Sequence, residues 1–237
     1  MKIAVVIPVL DEAEQILDAI ASVRAGEPSG GPAPSESPDP IETEILVVDA
    51  GSSDQTLPRA RQAGVRVLSA ARGRARQLEA GWRASSGDVI VFLHADTRLE
   101  PGWTAALREA LADPGVVGGA FRLGFDDPSM TFRLVEWVVR LRVGLFALPY
   151  GDQAIFVRRS ALEAMGGVPV AELMEDLDLV RAMKRRGRVA ALAPVATTSA
   201  RRYRLRGVAS TLCRNAAALV GWCMGIERGR LAGWVGR

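Results

Sequence analysis

The sequence predicts an α/β fold with a mostly parallel central sheet, flanking helices and a helical segment near the C-terminus. Short apolar runs rich in β-branched residues alternate with segments of helical periodicity through the first half of the chain. Hydrophobic residues make up 49% of the 237 residues, which is enough for a sizeable core. A further helical pattern follows the last predicted strand. Strand alternating with helix implies parallel strands with helices on both faces.

The first half contains four predicted strands and four predicted helices in alternation. The strands are dominated by Val, Ile and Leu, so we expect them to be buried on both faces. They cover residues 3–9, 44–48, 65–68 and 88–93, and the helices cover residues 13–24, 54–63, 74–83 and 101–112. The carboxyl ends of parallel strands meet at one edge of the sheet, so residues 10–12, 49–54 and 94–97 should converge on one crevice.

The second half has a less regular pattern. It predicts strands at 116–123, 153–157 and 188–192, and helices at 131–146, 174–186 and 208–224. Residues 27–40 are rich in Pro, Gly and Ser without periodicity, which predicts a flexible surface insertion. We expect a single domain over residues 1–237, with a ligand-binding half at 1–115, a catalytic half at 116–204 and a helical segment at 205–237.

Charge is unevenly distributed along the chain. Residues 201–237 hold eight Arg and one Glu, so this end favours an anionic partner. Little aromatic interleaving accompanies the arginines, so the phosphates of a small ligand or a lipid surface fit better than nucleic acid. Charged residues interrupt every apolar run before it reaches the roughly 18 residues of a membrane helix. The N-terminus resembles a strand rather than an export signal, and we expect a cytoplasmic protein.

Two cysteines, Cys213 and Cys223, lie ten positions apart on one predicted helix. That spacing corresponds to about 15 Å, which is too long for a disulfide. We expect both to be buried free thiols.

Carboxylates follow three of the predicted strands. Glu12 comes after the first, Asp49 ends the second, and Asp96 follows the fourth. Each alone is explained equally well as a helix cap or turn former. Gly51 allows a tight turn after Asp49, and such a strand tip can receive a base or ribose. The chain has neither a Gly-rich dinucleotide fingerprint nor a phosphate-binding loop with its Lys, which argues against nicotinamide cofactors and ATP hydrolysis.

Two later segments carry charged clusters. Glu175, Asp176 and Asp178 lie at the start of a predicted helix, where they either complement the helix dipole or supply a general base. Arg201 and Arg202 begin an arginine-rich stretch that forms either a solvated basic face or a site for a diphosphate leaving group.

Taken in order, these segments resemble the family 2 glycosyltransferases of the GT-A fold. The motifs are VVIPVLDE, VVDAGSSDQT, RGRARQLEAG, FLHADT, GDQAIFVRR, MEDLDL and SARRY, and they extend from Ile3 to about Tyr203. The residues of these motifs are similar to those of a bacterial subgroup of the family, whose genes are found beside radical SAM and selenium-related genes. The resemblance implies transfer of a sugar, with inversion, from a nucleotide diphosphate sugar to an acceptor hydroxyl.

The resemblance also implies roles for individual residues. Asp49 would contact the base, uracil being the favoured one, and Asp96 would bind Mg²⁺ or Mn²⁺. Asp176 would deprotonate the acceptor, with Glu175 beside it. The remaining nucleotide-binding residues would be Pro8, Leu10, Glu12, Arg74 or Arg76, Ala95, Arg201 and Arg202. The family's Asp-x-Asp motif is here His94-Ala95-Asp96, so the ribose contact of the first Asp and the dependence on metal are open.

Two other classes of protein are compatible with such a sheet. A nucleotidyltransferase would carry a Gly-rich, Arg-containing loop after the first strand, but the sequence there is PVLDE. A non-catalytic binding protein would need neither Asp96 nor the Glu175–Asp176 pair. The acceptor is unknown. The predicted helix at 131–146 is explained as an ordinary core helix or, alternatively, as the border of a site for a lipid-linked or membrane-borne acceptor, which would make the protein peripheral at the inner face of the membrane.

Overall fold

The computed structural model describes residues 1–26, 40–169, 171 and 173–235. All of the predicted insertion except Pro40 lies outside the described residues. The strands are β1 (Lys2–Val9), β2 (Glu42–Asp49), β3 (Arg66–Ser69), β4 (Val89–Phe92), β5 (Thr97–Leu99), β6 (Val116–Phe125), β7 (Ile155–Arg158) and β8 (Arg188–Thr198). The helices are α1 (Ile16–Arg24), α2 (Thr56–Gln62), α3 (Arg74–Ala84), α4 (Trp103–Leu111), α5 (Met130–Phe146), α6 (Arg159–Ala164), α7 (Glu175–Lys184), α8 (Arg201–Arg206), α9 (Val208–Cys223) and α10 (Arg228–Val235).

The strands form one eight-stranded sheet in the order β3-β2-β1-β4-β7-β6-β8-β5. The β3-β2-β1-β4 half is parallel, as the strand–helix alternation predicts. In the other half, β7 runs antiparallel to β4 and β6, and β5 runs antiparallel to β8, while β6 and β8 are parallel. The predicted fold class is confirmed. Of the antiparallel strands, β7 belongs to the less regular second half, whereas β5 follows β4 in the first half and was not predicted.

Helices cover both faces of the parallel half, so alternate side chains of one strand enter different core layers. In β1, Ile3, Val5 and Ile7 pack against α1 and α4, whereas Ala4 and Val6 pack on the α3 side. All of these β1 side chains are fully buried. Strand β3 differs from the prediction of burial on both faces, because it is the edge strand and its side chains are half-buried or exposed.

Helix α3 lies unusually close to the sheet. A Cβ on Gly81 would stand 2.3 Å from Cγ1 of Val6 and 3.0 Å from Cγ2 of Val48. Only glycine therefore allows α3 to reach this depth over β1 and β2, and the close approach fixes the start of the helix beside the ends of both strands.

A smaller core layer joins α5 to the start of the C-terminal helices. Phe132 and Val135 of α5 pack with Leu123, Phe125 and Ala200, and Tyr203 and Val208 pack against this cluster. The rings of Phe125 and Tyr203 meet edge to face, with their centroids 5.3 Å apart. Other large apolar side chains of α5 are exposed, so it is not the ordinary core helix that one sequence hypothesis expected.

The cysteine prediction was wrong in one respect. Cys213 and Cys223 are free thiols, as expected, but both are exposed. Helix α9 buries only Thr211, Ala218 and Gly221, so the two cysteines fall on its outward side. Within the described ranges, no helix is long and apolar enough to cross a bilayer.

Candidate active site

The ends of β1 and β4 form one wall of a cleft, which we call the donor wall. The chain leaves β1 at Val9 and β4 at Phe92, and the residues that follow turn toward the same space. The arrangement agrees with the predicted convergence of the strand ends. The lining residues of this part of the cleft include Pro8, Leu10, Glu12, Arg72, Arg74, Gln77, His94, Ala95, Asp96 and Arg202.

Asp49 is placed differently from the other strand-end carboxylates. It is only 3% exposed, and its carboxylate accepts hydrogen bonds from the turn that follows it. The donors are the backbone N–H of Gly51, 2.9 Å from Oδ2, and the N–H and hydroxyl of Ser52. Gly51 has a φ of 94°, as the predicted tight turn requires. The side chain of Asp49 therefore holds the strand tip in shape.

Gln77 joins the ends of the two central strands, a function that the sequence did not reveal. Its buried side-chain amide donates to the carbonyl oxygen of Val9 over 2.9 Å and to that of Val48 over 2.8 Å. Val9 is the last residue of β1, and Val48 is the last but one of β2. In the sequence, this function of Gln77 could be suspected from its position directly after the RAR segment at the start of α3.

Arg74 and Arg76 were alternatives for contact with the nucleotide, and the structure separates them. Arg74 lines the donor wall and also the adjoining part of the cleft. Its guanidinium lies 3.2 Å from Oε1 of Glu175, which is 2% exposed. Arg76 is exposed and does not line either part. Arg74 therefore forms an ion pair with the buried Glu175 and also faces the cleft.

Glu12 faces Asp96 from the end of β1. Burial raises the pKa of the Glu12 carboxyl above its usual value and the Asp96 carboxylate adds to this, while Arg201 and Arg202 oppose it. Arg201 lies 3.2 Å from Glu12 and 3.5 Å from Glu14. It therefore ties α8 to the end of β1, and only Arg202 of this pair lines the cleft.

The opposite side of the cleft, the acceptor wall, is built around Asp176. Oδ2 of Asp176 accepts the N–H of Gly151 over 2.7 Å, and Oδ1 accepts the N–H of Leu177 over 2.9 Å. A Cβ on Gly151 would lie 2.9 Å from Nε2 of His94, so His94 and Asp176 meet across this glycine. The carboxylate of Asp176 is held in one orientation at the start of α7.

Asp152 is a further carboxylate in the acceptor wall, and it was not predicted from the sequence. Its Oδ1 is buried and accepts no hydrogen bond. Burial raises the pKa of Asp152 to about 6, with further increases from Asp176 and Asp96, while the Arg142 guanidinium lowers it. The Arg142 guanidinium also stacks 3.5 Å from the ring centroid of Tyr150. A perturbed carboxyl in a cleft is typical of functional sites.

The C-terminal helices close the acceptor wall. Arg202, Tyr203 and Arg206 of α8 line it, together with Arg214 and Asn215 of α9. Burial raises the pKa of Tyr203 to about 12, and Asp152 adds to the shift. The indole N–H of Trp222 donates to Asp178 over 2.8 Å, which fastens α9 to α7. The third acidic residue of the LMEDLDL segment is thus a structural contact.

A divalent cation in the cleft would need ligands from these side chains. Across the described residues, no group of three or more His, Cys, Asp or Glu side chains could hold a metal ion by itself. Asp96 nevertheless lines both parts of the cleft, with His94 beside it. Mg²⁺ is commonly bound by one or two carboxylates, with waters and substrate phosphates completing its shell. Asp96, a single carboxylate that faces the cleft, fits that mode of binding.

Comparison with known proteins agrees with this architecture. The model of the family described as "Glycosyl transferase family 2" matches residues 4–162. The chain belongs to glycosyl transferase family 2. The resemblance of the sequence motifs to this family is thereby confirmed, and the match includes the donor-wall residues from Pro8 to Asp96.

Two curated relatives show different degrees of similarity. A glucosyl-3-phosphoglycerate synthase of Mycolicibacterium paratuberculosis is 37% identical over 103 residues, 40% of this chain and 28% of the relative. An undecaprenyl-phosphate 4-deoxy-4-formamido-L-arabinose transferase of Pseudomonas paraeruginosa is 29% identical over 174 residues, 69% of this chain and 49% of the relative. The chain thus spans half or less of the length of these family members.

Solved structures share the GT-A fold at low identity. Staphylococcus aureus TarS (residues 1–349) matches with a TM-score of 0.62 at 16% identity, over 99% of this chain and 69% of that one. A glucosyl-3-phosphoglycerate synthase of Mycobacterium tuberculosis, solved with Mg²⁺ and uridine diphosphate, matches with a TM-score of 0.55 at 22% identity, over 84% of this chain and 69% of that one.

Proposed function

We propose that this chain is an inverting glycosyltransferase that moves a sugar from a nucleotide diphosphate sugar to an acceptor hydroxyl. The observation that carries the proposal is the sharing of one cleft by Asp96 and Asp176. The donor wall and the acceptor wall have Arg74, His94, Asp96 and Arg202 in common. A donor lying along the first wall would therefore present its sugar to Asp176 in the second.

The nucleotide would occupy the donor wall. Pro8 and Leu10 offer apolar surface, Glu12 and Ala95 line the same space, and Arg74 faces it from α3. Asp49 would act through the turn that it holds, because its oxygens already accept the N–H groups of Gly51 and Ser52. A uridine diphosphate sugar is the proposed donor, in keeping with the UDP present in the glucosyl-3-phosphoglycerate synthase structure.

A divalent cation, Mg²⁺ or Mn²⁺, would be held by Asp96. When bound, it would neutralise charge on the diphosphate. Arg202 lines both parts of the cleft and would also stabilise the departing diphosphate. Arg201, proposed from the sequence for the same role, is engaged with Glu12 and Glu14, so its contribution would be to position α8.

Asp176 would accept the proton of the acceptor. The acceptor oxygen would attack the anomeric carbon, the bond from that carbon to the diphosphate oxygen would break, and the proton would pass to Asp176. The N–H groups of Gly151 and Leu177 hold the carboxylate of Asp176 for this step. Glu175 would hold Arg74 in place through their ion pair.

We also propose that the acceptor is lipid-linked or membrane-borne and that the protein is peripheral at the inner face of the membrane. Two observations support this. The name of the Pseudomonas relative, undecaprenyl-phosphate 4-deoxy-4-formamido-L-arabinose transferase, includes a lipid phosphate. Helix α5, which leads toward Tyr150 in the acceptor wall, carries exposed large apolar side chains.

A panel of nucleotide sugars, tested with and without Mg²⁺ or Mn²⁺, would examine the proposal. We expect a uridine diphosphate sugar to release uridine diphosphate in the presence of metal, and mass spectrometry should detect the transferred sugar on an acceptor. Pyrophosphate release from a nucleoside triphosphate and a sugar phosphate would instead indicate a nucleotidyltransferase. Binding without turnover across the panel and a set of lipid and small-molecule acceptors would indicate a non-catalytic protein.

A further inference from the structure

Helix α5 carries a continuous apolar stripe, defined here as Met130, Leu134, Trp137, Val138, Leu141 and Leu145. At about 100° per residue these positions fall within roughly one third of the helix circumference. The stripe is exposed to solvent: Leu134 by 61%, Trp137 by 49% and Leu145 by 74%. Soluble monomers seldom display a contiguous apolar patch of this kind without a partner.

The other face of α5 is firmly attached to the protein. Phe132 and Val135 are buried in the cluster with Leu123, Phe125 and Ala200. At the far end, Nζ of Lys184 donates to the carbonyl oxygen of Phe146 over 2.6 Å, which ties the last turn of α5 to α7. The stripe therefore belongs to a helix that is fixed in place from both ends.

Arginines flank the stripe on one side. Arg133 and Arg140 of α5 line a groove together with Arg98 and Arg122 from the neighbouring strands, and Glu100, Asp126 and Glu136 line the same groove. Arg98 and Arg133 each form an ion pair, with Asp18 and Glu136. Arg122 and Arg140 are exposed. An apolar stripe bordered by cations is typical of helices that lie in the interface of a membrane containing anionic lipids.

The adjoining helix extends the same surface. Tyr203 of α8 packs edge to face on Phe132 of α5, with the ring centroids 5.7 Å apart. Leu205 of α8 is 80% exposed, and Arg206, which lines the acceptor wall, is exposed beside it. The basic end of the sequence thus adds one more apolar side chain and further positive charge next to α5.

We propose that the stripe of α5 docks the protein on the surface of an anionic lipid bilayer, with the flanking arginines on the lipid headgroups. A second copy of the chain is the other candidate occupant. Two-fold pairing of α5 would bring the same arginines of both copies together, and like charges oppose that arrangement. A bilayer with anionic lipids would bury the apolar stripe and would place negatively charged headgroups beside the arginines.

Docking through α5 would place the acceptor wall close to the lipid. After Phe146 the chain turns at Ala147, which has a φ of 46°, and reaches Tyr150 and Asp152 in the cleft. A hydroxyl or phosphate carried by a lipid could then enter beside Asp176. The docking specifies the membrane association proposed above, and this link to the acceptor rests on the proposed function.

Vesicle flotation of the full chain tests the docking. The probes are vesicles of phosphatidylcholine alone and of phosphatidylcholine with phosphatidylglycerol, at low and high salt. We expect binding to the anionic vesicles at low salt, with weaker binding at high salt. Trp137→Glu combined with Leu141→Glu should reduce that binding by about tenfold or more, because two apolar side chains would no longer enter the interface.

The matched control is Leu17→Glu, which changes an exposed leucine of α1, on a different element of the fold. It should bind vesicles as the unchanged chain does. Nucleotide affinity measured by calorimetry should be equal in all three proteins, which separates loss of docking from unfolding and from failure of the proposed function. Absence of binding to anionic vesicles at low salt, or equal binding by the stripe variant, would overturn the proposal. A dimer in sedimentation that the stripe variant abolishes would assign the surface to a second copy instead.

Discussion

The backbone N–H of Gly151 donates to Oδ2 of Asp176 over 2.7 Å and so joins two segments that lie 25 residues apart in the sequence. The bond fixes the orientation of the carboxylate that we propose as the general base. Because a Cβ on Gly151 would lie 2.9 Å from Nε2 of His94, the donor and acceptor walls of the cleft meet at this glycine.

Asp176→Asn should lower transfer by roughly 10²- to 10⁴-fold, because the amide keeps the size of the side chain but cannot take a proton. Nucleotide affinity should change little, since Asp176 lines the acceptor wall and not the donor wall. Product formation and calorimetry measure the two effects separately. Asp178→Asn, on the same helix, is the control and should keep transfer nearly intact, because Asp178 accepts a hydrogen bond from Trp222 and does not line the cleft. Unchanged transfer in Asp176→Asn would remove the general-base assignment.

Gly151→Ala should lower transfer by about 10- to 100-fold, because its Cβ would lie 2.9 Å from His94 Nε2 and 3.3 Å from Asp176 Oδ2. One of these side chains must move to admit the methyl group. Gly144→Ala is the matched control: a Cβ there meets nothing within 4 Å, and it should leave transfer unchanged. Equal activity of the two variants would show that the contact across Gly151 has no role in catalysis.

Asp96→Ala should weaken nucleotide binding in Mg²⁺ or Mn²⁺ by about tenfold or more and leave the affinity measured with a chelator nearly unchanged. The reason is that the variant removes the carboxylate proposed to hold the cation. Calorimetry with metal and with chelator provides the comparison, and Asp18→Ala, at an exposed ion pair with Arg98, serves as the control. Equal affinity of the unchanged chain with metal and with chelator would mean that His94 at the first motif position marks a metal-independent site.

The buried Asp152 should make stability depend on pH. Its carboxyl keeps a proton up to about pH 6 in the folded chain, whereas the unfolded chain releases it near 3.8. The folded state therefore binds more protons between these values, and the contribution of Asp152 to stability is lost as the pH rises from about 4 to about 6. The loss is at most about 3 kcal/mol, from 1.36 kcal/mol for each pKa unit.

Asp152→Asn should abolish that dependence. In metal-free buffer, the melting temperature of the variant relative to the unchanged chain should increase from pH 4 to pH 6.5 and stay constant above. Thermal unfolding followed by circular dichroism at closely spaced pH values gives this difference. Parallel curves over the whole range would contradict the raised pKa of Asp152.

The donor wall was accessible to sequence reasoning because it is local. Each of its carboxylates follows a strand that is itself visible as an apolar run, and parallel strands necessarily end at one edge. Asp96 and Glu12 could therefore be placed together before the structure was known. The burial of Asp49 was not predictable, since it depends on whether the Ser52 hydroxyl turns inward to it.

The acceptor wall depends on contacts between distant segments. Asp152 is buried beside Arg142 of α5, which stacks on Tyr150, and no periodicity in the sequence indicates that these residues come together. Strand β5 has three residues, too few to show an alternation. The orientation of α9 was ambiguous because Leu212, Val220 and Met224 are exposed together with the two cysteines, so hydrophobicity alone indicated the wrong inward side.

Apart from the four residues that both walls share, the donor wall comes from residues 8–95, whereas Asp176, Tyr203 and Asn215 line only the acceptor wall. The family model ends at residue 162, before those three acceptor-wall residues. A library of variants aimed at new acceptors can therefore be confined to residues that line only the acceptor wall, such as Tyr150, Leu173, Tyr203 and Asn215, and leave the nucleotide-facing strand ends and Arg202 untouched. For an enzyme engineer, choice of donor and choice of acceptor become two nearly separate design problems within one short chain.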